Sequence, residues 1–365
     1  MCLHNLDAPW ITGPTPAPSP LGPTASPTKS PTASPTITSS PTEYREPNVL
    51  LQSMDARNAW DIFEALEYTT YSNGENPPNY AFVASGGAAG DGSYVVSESQ
   101  SYALLITGTV LASWNQHAGT IAGSNRQKVI DWFGGYFEFW KEMCSDSAAA
   151  GHCQDGGFYC QGSPCLPDWK HNKWGGSVET GAAPDGDEDG IVGIILAVTA
   201  VENDNPKPSW YAEARKWADA SATAFYKFNV DTSKNGYPLV KLGSCWGGWE
   251  NNGNNPSYHS PGSYRIMRDY QKSFPNADRA GYDAIAEAEW NDLIKTSHEV
   301  LLAVQCSNDG ALVPNWATMT LSGGVVQHSG GGFSGSGTAQ YEYGAEASRT
   351  TFRVALDAAF YPDFI

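Results

Sequence analysis

Ala183–Val201 reads APDGDEDGIVGIILAVTAV: four acids within eight residues, then a run with no polar face. From Ile191 to Val201 apolar side chains fall on every side of a helical wheel, and such a helix is stable only where it is buried all round. The acids Asp185, Asp187, Glu188 and Asp189 therefore stand at a helix N-terminus aimed at the middle of the fold. Carboxyl groups in such a place are candidates for chemistry rather than for solvation. A calcium loop is a poor alternative, because the ligand alternation of an EF-hand and its closing bidentate Glu are missing.

Working outward from this helix, the pattern stays helical, with long Gly, Pro and Asn-rich connections. Asp55 to Leu66 sets Ala56, Ala59, Trp60 and Phe63 on one face. A helix opening at Ser97 carries Tyr102, Leu105, Ile106, Thr109 and Val110 on one stripe, and Ser97 with Gln100 reads as a capping box. Ser124 and Gln127 read the same way, ahead of Val129, Phe133, Tyr136, Phe137 and Trp140. Further helices are expected at about Trp210 to Phe228, Ser263 to Lys272, Tyr282 to Gln305 and Glu346 to Phe360. That makes roughly eight, with no convincing sheet. An all-α toroid, buried inner helices ringed by amphipathic outer ones, fits this better than a simple bundle.

Residues 1–47 read differently. Thr12 to Thr42 is Pro, Ser and Thr with a SPTKSPTASPT repeat, which cannot bury enough surface to fold and is expected to be a disordered, O-glycosylated linker ahead of a domain over 48–365. The opening MCLHNLDAPW shows no basic region followed by an apolar stretch, so no signal peptide is visible and a truncated start is expected. Of seven cysteines, Cys144, Cys153, Cys160 and Cys165 crowd one Gly-rich segment without a CxxC spacing. They are expected to pair among themselves rather than to hold zinc, with Cys245 and Cys306 as a third candidate bridge and Cys2 left over. This points to a secreted or cell-surface protein.

The chain has 39 Asp and Glu against 21 Lys and Arg, a net charge of -18 that argues against a nucleic-acid partner. No apolar run reaches membrane-spanning length. Seven scattered histidines form no HExxH, no GxSxG elbow occurs, and the glycine-rich SGGVVQHSGGGFSGSG lacks a GK[ST]. No metal or cofactor is expected, and a monomer is. The 13 Trp and 18 Tyr are the informative excess, since flat rings suit the apolar faces of sugars. Breaking a glycosidic bond needs one carboxyl that carries a proton and one that is ionised. Three places offer carboxyls: Glu98 in the first turn of its helix, the Asp185 cluster, and Glu346, which shares a helix face with Arg349 three residues on.

The order of these motifs resembles glycoside hydrolase family 8. SESQSYALLI, Ser97 to Ile106, looks like that family's SEGxGY helix start, and APDGDED is similar to its (A/T)DGD segment. NPSYHSPGSYR, Asn255 to Arg265, and DGALVPNW, Asp309 to Trp316, look like its NPSY and GLxPDW stretches. YGAEASRTTFR is similar to its FGYDAxRxPxR helix. The resemblance implies an (α/α)6 toroid and hydrolysis by single displacement with inversion, in which Glu98 protonates the leaving sugar, Asp185 grips a distorted sugar and Glu346 activates water. It implies a cleft lined by Tyr102, Trp174, Trp246, Trp249, Tyr258, Trp316 and Arg349, acting on a polysaccharide, with a β-1,4-glucan preferred. Where the family commonly has Tyr-Asp this chain has Ala345 and Glu346, so Glu342, Asp309 and Glu250 stay open as bases. The family's barrel normally continues beyond this last motif, so the toroid is expected to be incomplete at its C-terminus. The rival readings are a non-catalytic carbohydrate-binding or cell-surface protein that kept the cleft and, more distantly, a polysaccharide lyase.

Overall fold

The structure, a computed structural model, describes residues 94–114, 126–150, 166–173, 176–179, 181–279, 281–305, 312–329 and 342–362. Seven α-helices lie among them: α1 (Ser97–Ala112), α2 (Arg126–Ala150), α3 (Pro184–Ala200), α4 (Tyr211–Asn229), α5 (Pro261–Ser273), α6 (Glu287–Val304) and α7 (Ala345–Phe360). The proposed linker, the Asp55 to Leu66 helix and Ser124 fall outside the described residues.

The helices alternate in role along the chain. α1 packs on α3, α3 on α5 and α5 on α7, while α2 packs on α1, α4 on α3 and α5, and α6 on α5. The odd-numbered helices form an inner row and the even-numbered ones an outer layer, the arrangement of an α/α toroid. Every residue of α3 from Pro184 to Val198 is buried, as its unbroken apolar run requires. α2 instead buries the stripe Val129, Phe133, Tyr136, Phe137 and Trp140 against the same core.

The inner helices run parallel, and their cross-contacts advance in step. Gly186 of α3 lies on Ser97 of α1 and Gly193 on Leu104. Asp185 meets Arg349 of α7 and Asp189 meets Arg353. Arg265 of α5 meets Asp357, and Asp269 meets Tyr361. A parallel inner row places the N-termini of α1, α3 and α7 at one end of the fold. The α1–α3 contact is backbone on backbone: a Cβ on Gly108 would sit 2.2 Å from the Gly193 carbonyl oxygen, and one on Gly193 would sit 2.5 Å from the Leu104 carbonyl carbon. No residue but glycine fits either place.

Three features differ from the sequence reading. Small antiparallel sheets are present, β1 (Tyr94–Val96) with β2 (Lys170–Asn172) and β3 (Ser177–Glu179), β4 (Val230–Asp231) with β5 (Leu239–Val240), and β6 (Met319–Ser322) with β7 (Val325–His328). Their strands are two to four residues long, too short to show a period of two. The Ser97 capping box does not form. Val96 is the N-cap, no side chain caps α1, and Gln100 donates instead to the Tyr136 carbonyl at 2.9 Å. Gln127 donates to Asp131 at 2.8 Å, and the box expected at Ser124 lies outside the described residues.

Of the clustered cysteines Cys144 alone lies among the described residues, buried in α2, and Cys153, Cys160 and Cys165 fall outside them. Cys245 is disulfide-bonded, with its partner outside the described residues. Among the described residues no helix is long and apolar enough to cross a membrane.

Candidate active site

The N-terminal ends of α1, α3 and α7 enclose a cavity of about 200 Å³, and Glu98, Asp185, Glu346 and Arg349 all line it. Each carboxyl lies in the first turn of its helix, where unpaired backbone N–H groups favour negative charge. The sequence placed these four residues as candidates, and the structure brings them into contact across as many as 251 positions of chain.

Glu98 is held from two directions. The Tyr102 hydroxyl, one turn along α1, donates to its Oε1 at 2.9 Å, and Arg349 Nη1 donates to the same oxygen. Close packing sets the height of Glu98 against α3, since a Cβ on Gly186 would fall 2.9 Å from the Glu98 backbone nitrogen. Burial beside Glu98 pushes the Tyr102 hydroxyl far above its usual value.

Asp185 follows Pro184 at the start of α3, and its Oδ2 accepts from Arg349 Nη1 at 2.5 Å. Its Oδ1 accepts from the Gly186 backbone at 2.9 Å. Burial raises its pKa to about 6, against the opposing pull of the Arg349 guanidinium. Glu346 Oε2 receives Arg349 Nη2 and the Asn255 amide at 2.7 Å. Asn255 is fixed in turn, its Oδ1 accepting from the Ser257 backbone at 2.9 Å and hydroxyl at 2.8 Å.

Neither loop alternative to Glu346 that the structure describes reaches the cavity. Glu250 is exposed and pairs with Lys234 at 3.5 Å, and Glu342 is exposed. Asp309 lies outside the described residues.

The structure places the expected cleft aromatics in different settings. Trp246, 48% exposed, and Tyr258 line the cavity, and the Arg349 guanidinium lies 5.4 Å from the Tyr258 ring centre. Trp249 is a correction: it is 1% exposed and donates its indole N–H to the Tyr237 carbonyl at 3.1 Å, so it is a core residue. Trp316 packs partly buried against the main core and is not among the cavity-lining residues. Trp174 lies outside the described residues.

Sequence reasoning missed Trp169, which lines the cavity, and two asparagines. Asn315 accepts at Oδ1 from the backbone of Gly344 at 3.1 Å and Ala347 at 2.9 Å, capping α7 from another loop. It lies in the quoted DGALVPNW stretch, but nothing in that pattern identifies a cap for a helix thirty residues on. Asn255 likewise stood in a quoted motif without a role.

Behind the cavity the rest of the acidic cluster is sealed into the core. Asp187 accepts from Asn229 at 2.6 Å. Arg353 Nη1 meets Glu188 at 2.5 Å and Asp189 at 2.6 Å, with all three side chains essentially inaccessible. Burial pushes all three carboxyls up, while Arg353 opposes the shift at Glu188 and Asp189.

The chain is 26% identical over 212 residues to endoglucanase C of Ruminiclostridium cellulolyticum, covering 54% of this chain and 35% of that protein. It is 26% identical over 194 residues to endoglucanase 2 of Ruminiclostridium josui, covering 50% and 31%. The matched region thus spans about a third of the length of these relatives. Among solved structures it superposes on a β-1,3-1,4-glucanase from Paenibacillus sp. X4 with a TM-score of 0.56 and 18% identity, covering 85% of this chain and 68% of that one. A family-8 xylanase from Teredinibacter turnerae gives a TM-score of 0.55 and 16% identity, covering 87% and 73%. The fold is theirs. No family model matches the chain.

Proposed function

We propose that this chain is the catalytic region of a secreted endo-acting glycosidase of family 8 type, cleaving β-linked polysaccharide, with a β-1,4-glucan as the preferred substrate. The observation that carries this reading is the meeting of carboxyls from α1 and α7 at opposite nitrogens of one guanidinium, beside a third, buried carboxyl from α3. That is one donor, one base and one grip on the sugar, on three rigid helices.

The contacts support a choice of oxygens within this reading. Glu98 Oε1 is taken by Tyr102 and Arg349, which leaves Oε2 to carry the proton given to the leaving glycosidic oxygen. Glu346 Oε2 is taken by Asn255 and Arg349, which leaves Oε1 to accept a proton from water. The water oxygen then bonds to the anomeric carbon from the face opposite the departing sugar, and that carbon inverts. Asp185 accepts a hydrogen bond from a ring hydroxyl. The endoglucanase relatives and the glucanase and xylanase folds support this reading.

Product stereochemistry tests it. A β-linked glucan should release an α-anomer, followed by NMR before mutarotation. Glu98→Gln should lose nearly all turnover while retaining polysaccharide binding, because an amide keeps shape but delivers no proton. A β-anomer would end the single-displacement assignment. Binding without any hydrolysis by the unaltered protein would favour the non-catalytic reading.

A further inference from the structure

α7 begins at a residue that cannot cap it. Gly344 is the N-cap and has no side-chain oxygen to offer the free N–H groups of the first turn. The missing oxygen comes from Asn315, in a different loop. Its Oδ1 accepts from the N–H of Gly344 at 3.1 Å and from that of Ala347 at 2.9 Å. These two N–H groups lie on either side of Glu346 along the chain. The fit is close, since a Cβ on Gly344 would lie 2.7 Å from the Asn315 amide nitrogen.

A second loop holds the other end of Glu346. Asn255 donates its amide to Glu346 Oε2 at 2.7 Å, while its own Oδ1 is taken by Ser257. The two loops form one unit, because Asn254 and Ala317 exchange backbone hydrogen bonds at 2.9 and 2.8 Å in an antiparallel bridge. Asn254 is anchored in turn, its amide donating to the Val240 carbonyl at 2.9 Å, and both Asn254 and Asn255 are fully buried. The backbone around Glu346 and its carboxyl are thus held from one bridged pair of loops.

Resting on the reading of Glu346 as the base, we propose that Asn315 is a positioning residue for the reaction: by capping α7 from the loop bridged to Asn255, it sets where Glu346 stands relative to the attacking water. A helix end without a cap frays, and Glu346 lies in that first turn. Asn255 and Arg349 fix one carboxyl oxygen, but not the backbone from which the side chain hangs. The base must activate one water at a defined place, and a displacement of about 1 Å can cost about a hundredfold in rate. Asn315 is not among the residues lining the cavity, so its loss belongs in kcat rather than in KM.

The experiment measures turnover on soluble β-glucan or xylan, whichever is cleaved faster. Asn315→Ala should lower kcat about tenfold and leave KM within about twofold, at temperatures where the variant is folded. Asn315→Asp keeps both acceptor bonds at a helix end that favours negative charge, and should recover most of the lost kcat. Gly344→Ala has an extended backbone that accepts alanine, but its methyl group displaces the Asn315 amide, so kcat should fall here too. This variant decides the matter if Asn315→Ala does not fold. An unchanged kcat with a lowered melting temperature would make Asn315 a structural cap alone and overturn the inference. A rise in KM alone, or no recovery in Asn315→Asp, overturns it as well. Glu346→Ala at full turnover would overturn the base assignment and the placement together, whereas an inactive Glu346→Ala beside a fully active Asn315→Ala overturns the placement alone. An unaltered protein that cleaves neither polysaccharide overturns the hydrolase reading with both.

Discussion

Two arginines of α7, one helical turn apart, hold carboxyls in opposite ways. Arg349 reaches Glu98, Asp185 and Glu346, which come from three different helices and line a cavity. Arg353 reaches Glu188 and Asp189, neighbours on α3, with no exposed surface on any partner to speak of. The same chemistry serves a site in the first case and a scaffold in the second. What separates them is access: the contacts of Arg349 face a cavity, and those of Arg353 are sealed in the core.

Arg353→Met gives the largest test of that contrast. It strands two buried carboxyls, and breaking a buried pair from one side costs about 3–5 kcal/mol. Chemical denaturation should show a loss of that size, with a much smaller change for Arg349→Met. Equal losses for the two variants would erase the distinction between site and scaffold.

A smaller effect is expected in the pH dependence of stability. The folded pKa of Asp185, about 6, lies above the value of about 3.9 for an exposed Asp. The folded state therefore binds more protons than the unfolded one between these values, and stability falls as pH rises through that window. Asp187, Glu188 and Asp189 shift in the same direction. Asp185→Asn should make the decline in melting temperature between pH 4 and 6 shallower, while the three sealed acids keep the remainder. An unchanged slope would mean that Asp185 is better solvated than its burial implies.

The faintest effect stays on the cavity side. Trp246→Ala should raise KM for glucan severalfold, a loss of about 1 kcal/mol of ring contact, with an unchanged melting temperature. A change in melting temperature instead of KM would place Trp246 with the scaffold.

Much of this was legible in the sequence where a residue's setting is local. The run that starts at Ile191 has to be buried, and it is as far as Val198, with Thr199 exposed in the last turn. Glu98 and Tyr102 are one helical turn apart, and they touch. Settings created by tertiary contact were not legible. Ser97 and Gln100 have the spacing of a capping box, but the close approach of α3 puts Gly186 against the Ser97 hydroxyl and Gln100 is drawn to α2. Trp246 and Trp249 look alike in a glycine-rich loop. Gly247 and Gly248, at φ of 90° and 122°, turn the backbone between them, and one ring comes to line the cavity while the other enters the core. The Arg349 bridge needed both ends of the described chain to be seen together.

That span has a consequence for how the molecule comes into being. A helix can nucleate from neighbouring residues, but the carboxyl of Glu98 meets its guanidinium only after 251 positions of chain have been folded back into a ring. The entropy lost in closing so long a loop is recovered only when α7 docks. Secondary structure thus comes before the cleft in time, and a chain arrested before docking would have its helices and its acids without the place where they act.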